Sequence, residues 1–151
     1  MKTGILVAAL LIFALSCIPV AASEPENRYS YITFETVDIS LDGADAVVTV
    51  NYSIDTGVQV LVMLLGNHDL RTKVLHSMNF EGAKIQYADL ERAVLTVDDA
   101  SFDYGDGSFW FPRHSFMVTI PKLNIHTPQS TRQFFMIQQM EEGFGYFTAR
   151  S

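Results

Sequence analysis

Residues 100–114, "ASFDYGDGSFWFPRH", hold most of the side chains in this chain that could do chemistry: five aromatic rings, the single Trp among them, and one of four histidines. Asp106-Gly107 reads as a hairpin turn, because both positions of a tight turn need positive φ. A two-residue turn there, or a four-residue one from Gly105 to Ser108, gives the same register. Tyr104 then faces Phe109 and Phe102 faces Phe111 on one side; Asp103 faces Trp110 and Asp99 faces His114 on the other. Cross-strand aromatic pairs are ordinary sheet stabilisers, so the four rings are expected in the core. The second side offers three chemistries. His114 beside Asp99 is an acid–base pair suited to a small hydrolase. Trp110 could seat a sugar or a hydrophobic ligand. Asp99, Asp103 and Asp106, with Asp98 nearby, are hard oxygen ligands of the kind calcium prefers. They match no EF-hand loop, and turn chemistry accounts for them, so no metal site and no cofactor is expected.

Other motifs are sparse. His68, His76, His114 and His126 fall in no zinc-helix spacing, and there is no phosphate-binding loop or dinucleotide fingerprint. "GDGSF" is not a nucleophile elbow, so a serine triad has no motif behind it. Asn51-Tyr52-Ser53 matches the glycosylation acceptor, with Asn51 on the polar side of its strand.

The elements that must position these residues are mostly strands. In "VDISLDGADAVVTVNYSI", Val37, Ile39 and Leu41 alternate on one arm, and Ala46, Val48, Val50, Tyr52 and Ile54 on the other. With Asp42-Gly43 as the turn, Ile39 pairs with Ala46 and Val37 with Val48. Ile32 and Phe34 are out of phase, which a bulge near Glu35-Thr36 would correct. Val58, Leu61, Val62 and Leu65 follow helical spacing up to Gly66 and favour a helix, although three valines argue for a strand. Asn67 then caps a second helix whose stripe is Leu70, Val74, Leu75 and Met78. From Ala83 onward the pattern returns to strands, with Pro112, Pro121 and Pro128 expected at edges or turns. The expected fold is therefore α+β: a mostly antiparallel sheet with a helical hairpin, about residues 57–78, packed on one face.

The N-terminus supplies the compartment. Lys2, the apolar run Ile5 to Leu15, and Val20-Ala21-Ala22 before a polar "SEPE" read as a signal peptide cleaved after residue 22. The alternative is an uncleaved membrane anchor, since residues 4–22 approach the length that spans a bilayer. Lipidation of Cys17 would need a better lipobox than "FALS" provides. The expected organisation is a signal peptide at 1–22, a mobile lead-in at 23–30 and one domain at 31–151. Without Lys2 the chain keeps 17 acidic against nine basic residues, a formal charge of −8. Nucleic acid is therefore excluded as a partner. The only Cys lies in the signal, so the domain has no disulfide and must rest on its core.

"LLGNHDL", "NFEGAKI" and "YGDGSFWFPRH", in that order behind a signal peptide, resemble an uncharacterised group of exported archaeal proteins. The resemblance implies export and a single domain, and no chemistry. The expected function is an exported, non-catalytic domain of the cell envelope or extracellular space, structural or interacting with another surface component. The alternatives are a small hydrolase using His114 and Asp99, and a ligand-binding module using Trp110. Solvent access separates them: a concave site around His114 favours the enzyme, and a flat exposed Trp110 favours the binder.

Overall fold

The computed structural model describes residues 25–148, so the expected signal peptide at 1–22, with Cys17, lies outside the described residues. The protein is mainly sheet, with two helices. Its strands are β1 (Arg28–Tyr29), β2 (Ile32–Asp42), β3 (Asp45–Ile54), β4 (Lys84–Ala88), β5 (Arg92–Val97), β6 (Phe102–Gly105), β7 (Ser108–Phe111), β8 (Ser115–His126), β9 (Thr131–Gln139) and β10 (Phe144–Phe147). Helices α1 (Thr56–Leu65) and α2 (His68–Met78) separate β3 from β4.

A seven-stranded sheet runs β4-β5-β3-β2-β8-β9, with β1 added beside β2. It is mixed, because β8 lies parallel to β2. The β2–β3 hairpin is its centre. The observed register pairs Ile39 with Val48 and Leu41 with Ala46, so the turn is Gly43-Ala44, one residue beyond the expected Asp42-Gly43. Gly43 has φ +61°, and glycine at the first central position suits this kind of tight turn better than Asp42 would. The shift keeps strand parity, so the apolar sets still share one face. The bulge between Phe34 and Thr36 brings Ile32 and Phe34 onto that face, where both are fully buried.

The helical spacing at residues 58–65 does give a helix, which Gly66 ends at φ +92°. Packing is borne by α2, whose Leu70, Val74 and Met78 are buried and which contacts β8 and β4. No residue of α1 is buried. Residues 27–29, placed by the sequence pattern in a mobile lead-in, are instead tied to the sheet. Asn27 exchanges backbone and side-chain hydrogen bonds with Phe34, and Arg28-Tyr29 pairs with Ile32-Thr33. Pro121 is neither at an edge nor in a turn: it lies inside β8, between two neighbours. The β2–β8 ladder starts only at Lys122, so no partner on β2 requires the N–H that proline lacks.

A second sheet, β10-β7-β6, packs its inner face into the same core. Phe109 and Phe111 of β7 and Phe144 and Tyr146 of β10 are buried with Leu41, Ala46 and Val97 of the large sheet. The Tyr146 hydroxyl fastens the two layers. It donates to the Gly43 carbonyl at 2.5 Å and lies 2.8 Å from the Ser101 hydroxyl. Burial raises its pKa, which keeps the phenol protonated and able to donate.

Candidate functional site

The β6–β7 hairpin turns at Asp106-Gly107 as its sequence requires, with φ +54° and +75°. The rest of its register differs from the spacing argument. Phe102 pairs with Trp110 and Asp103 with Phe109, and a bulge at Tyr104 restores the Gly105–Ser108 pair at the turn. The Asp103 carboxylate accepts the Gly105 N–H at 2.8 Å, and Gly105 takes φ +83°. One inserted residue thus moves Phe102 to the outer face and leaves Tyr104 exposed in the bulge. The predicted four-ring core is therefore two rings, Phe109 and Phe111, completed by Phe144 and Tyr146 of β10.

The outer face of this small sheet gathers the displaced rings. Phe102 is directly opposite Trp110, and Phe147 of β10 is opposite Ser108, one step diagonal from Trp110. Direct and diagonal neighbours on a sheet lie about 5 and 7–8 Å apart, close enough for aromatic side chains to form one surface. All three are open to solvent, with exposures of 61% for Phe102, 41% for Trp110 and 61% for Phe147. Beside Trp110 stand Gly145 of β10 and Gly143 just before that strand, and the indole lies against both. A Cβ on Gly143 would meet Trp110 Nε1 at 2.7 Å, so the indole edge lies directly on that glycine. Gly143 also lines a cleft of about 420 Å³ with Arg132, Glu141 and Glu142. The Arg132 guanidinium sits 4.4 Å from the centre of the Phe144 ring. Gly143 is the point where this cleft approaches Trp110; Phe102, Trp110 and Phe147 do not line it, and its Phe144 ring belongs to the buried face.

His114 and Asp99 line a different cleft, of about 230 Å³, with Phe80, Asp98 and Pro112. They share its wall without forming a pair: among the described residues, no hydrogen bond or ion pair joins them. Asp99 sits in a turn at φ +53°, its backbone N–H held by Asp45. His114 Nε2 donates to the Met78 carbonyl at 2.8 Å, which fixes the Nε2–H tautomer. Its ring stacks on Phe80 at 3.9 Å and meets the edge of Phe116 at 4.7 Å. Burial lowers its pKa, outweighing the Met78 hydrogen bond that raises it, so the ring is neutral at pH 7.

The acidic residues weighed for calcium are dispersed. Asp98 is ion-paired with Lys84, Asp103 is bonded to its own turn, and Asp106 occupies the hairpin tip. Among the described residues, no group of three or more His, Cys, Asp or Glu gathers to hold a metal. Asn51 lies half-buried in β3, between Thr36 and Arg92 on the neighbouring strands. His68 is exposed, and His76 lies against Tyr29, ring centres 5.4 Å apart.

The spacing argument missed a network on the uncovered face of the large sheet. His126 Nδ1 is 3.0 Å from the Thr131 hydroxyl and Nε2 is 3.5 Å from Asp38, which also accepts from Asn124 at 2.7 Å. Gln133 donates to Asn124 and extends the chain of bonds onto β9. Residues 38 and 126 are far apart in sequence and meet because β2 and β8 run side by side, with His126 two positions beyond Asn124, the direct partner of Asp38. No local motif could have shown it. With Asp38 already satisfied by Asn124, the network cross-links three strands.

No family model matches the chain, and no curated protein or solved structure matches it either.

Proposed function

We propose that this is an exported, non-catalytic binding domain of the cell envelope, and that it holds a neutral saccharide chain on the outer face of the β6–β7–β10 sheet. The single observation that carries the reading is the open row Phe102, Trp110 and Phe147 on one flat face. Soluble domains rarely leave large rings together in water without a use for them. Rings of this kind stack on the apolar faces of sugar units. The acidic surface disfavours an anionic ligand. Export rests on Lys2, the Ile5 to Leu15 run and Val20-Ala21-Ala22, and on the resemblance to exported archaeal proteins. In this reading the helical pair acts as cover for one end of the large sheet's apolar face. His114 supports binding over hydrolysis, because it is neutral, stacked and committed to a backbone carbonyl.

Trp110 is the chain's only tryptophan, so its fluorescence reports on the proposed face alone. Titration with linear neutral glucans and mannans should shift and saturate that emission. In gels containing a bound glycan the protein should be retarded, and Trp110→Ala or Phe147→Ala should abolish retardation with the fold unchanged. An emission spectrum indifferent to every neutral glycan, together with unretarded migration, would reject the saccharide reading.

A further inference from the structure

Helix α1 reads Thr-Gly-Val-Gln-Val-Leu-Val-Met-Leu-Leu and carries no charge from Thr56 to Asn67. On a helical wheel Val58, Gln59 and Val62 point inward and are half-buried, while Val60, Leu61, Met63, Leu64 and Leu65 are exposed, Leu64 by 75% and Leu65 by 83%. An amphipathic surface helix turns a polar face outward; here the outward face is aliphatic.

The position of this helix indicates what covers it. Asp55, immediately before α1, is bound by the Arg28 guanidinium at 2.6 Å, and its N–H is held by the Tyr31 carbonyl. The start of α1 is therefore fastened to the point where the chain enters the fold. Residues 4–22 are apolar in sequence, and only six residue steps separate Ala22 from Arg28. Six steps reach about 20 Å at full extension. The Arg28 N–H bonded to the Pro25 carbonyl shortens that path. An apolar run of bilayer length thus precedes, by a short stretch of sequence, the point to which the uncovered aliphatic helix is fastened. A second copy is a poorer occupant, because a stable interface engages roughly 20–30 residues a side, and this face offers five exposed apolar side chains.

We propose that the outer face of α1 enters the hydrocarbon edge of the lipid bilayer from which residues 4–22 emerge, so that the domain rests on the membrane through Val60, Leu61, Met63, Leu64 and Leu65. The proposal rests on the uncleaved-anchor form of the export reading above and is independent of the aromatic face. The hairpin tip at Asp106 then points away from the lipid. It belongs to the sheet packed near the Gly43 turn, and the ten residues of β3 separate that turn from α1.

The test uses the full chain with Cys17→Ser, reconstituted into phosphatidylcholine vesicles, with a nitroxide attached at Leu64→Cys or, separately, at Asp106→Cys. Both positions are exposed, so the label leaves the core intact. The expected result is a reversal: at Leu64 the label relaxes more with lipid-soluble oxygen than with a water-soluble nickel chelate, and at Asp106 less. A Leu64 label as open to nickel as the Asp106 label overturns the proposal. So does a label shielded from both relaxants, which would mean that protein covers the helix, either the chain's own N-terminal run or a second copy. A vesicle-bound chain whose Leu64 is in water would remove α1 insertion while leaving the envelope location and the glycan face standing.

Discussion

Phe111→Ala and Phe102→Ala form a paired test of the β6–β7 hairpin. A bulge-free register makes these two residues cross-strand partners with equal roles in the core. The observed bulge at Tyr104 separates them. Phe111 is 1% exposed and packs 5.7 Å from the Phe144 ring, whereas Phe102 is 61% exposed. Truncating a buried phenylalanine removes its transfer energy and leaves a cavity, together about 3–5 kcal/mol. Truncating an exposed one stays within about 0.5 kcal/mol. In urea, with a slope of about 1.5 kcal/mol/M, Phe111→Ala should lower the midpoint by about 2–3 M and Phe102→Ala by less than about 0.4 M. Tryptophan fluorescence follows the transition, and an unchanged slope in both variants confirms that stability alone has moved. If Phe102→Ala lowered the midpoint as far as Phe111→Ala, the bulge would be wrong and the aromatic face would lose its basis.

Two further outcomes follow from single groups. Tyr146→Phe removes the donor to the Gly43 carbonyl and the neighbour of the buried Ser101 hydroxyl, and should cost about 1–3 kcal/mol in thermal or urea unfolding; a neutral variant would show that the sheets do not depend on this bond. His114 has a folded-state pKa depressed below 6.5 by burial, so the unfolded chain takes up its proton first as pH falls. The stability it contributes is complete above about 6.5 and is lost as pH falls toward the lower folded value. Its NMR titration should therefore lie below 6.5, and His114→Phe should flatten that part of the stability–pH curve; a midpoint at or above 6.5 contradicts the buried placement.

Strand content was legible in the sequence because alternation survives small errors of register. The β2–β3 turn is one residue from its expected place, yet every apolar residue falls on the expected face, since moving the turn shifts pairing by two. The β6–β7 hairpin had no such protection. A one-residue bulge changes parity, and nothing in "FDYGDG" distinguishes a regular strand from one whose Asp103 holds the Gly105 N–H. The helix at residues 56–65 was visible from its spacing, but its exposure was not, because an apolar run looks the same buried or uncovered. The Asp38–His126 contact depends on a parallel pairing across more than eighty residues, beyond any local pattern. Trp110 was found as the odd ring of its strand, but its companions Phe102 and Phe147 needed the bulge and the C-terminal strand to place them.

Strand β10 connects the stability of the small sheet to its proposed use. It alternates Phe144 and Tyr146 inward with Gly145 and Phe147 outward, and Gly143 immediately precedes it, so the outer face beside Trp110 carries two glycines. That asymmetry is costly: glycine weakens a strand interior and packs nothing of its own. The geometry at Gly143 gives the reason. A Cβ there would meet the Phe111 carbonyl oxygen at 2.5 Å and Trp110 Nε1 at 2.7 Å, and the first of these is backbone that cannot swing aside. A side chain at residue 143 would therefore separate β10 from β7 or push the indole off the sheet. The sheet does not need the indole for its own packing, since Phe109 and Phe111 already fill the inner face. Gly143 and Gly145 thus let the indole lie against the backbone, and the proposed saccharide would meet its open side.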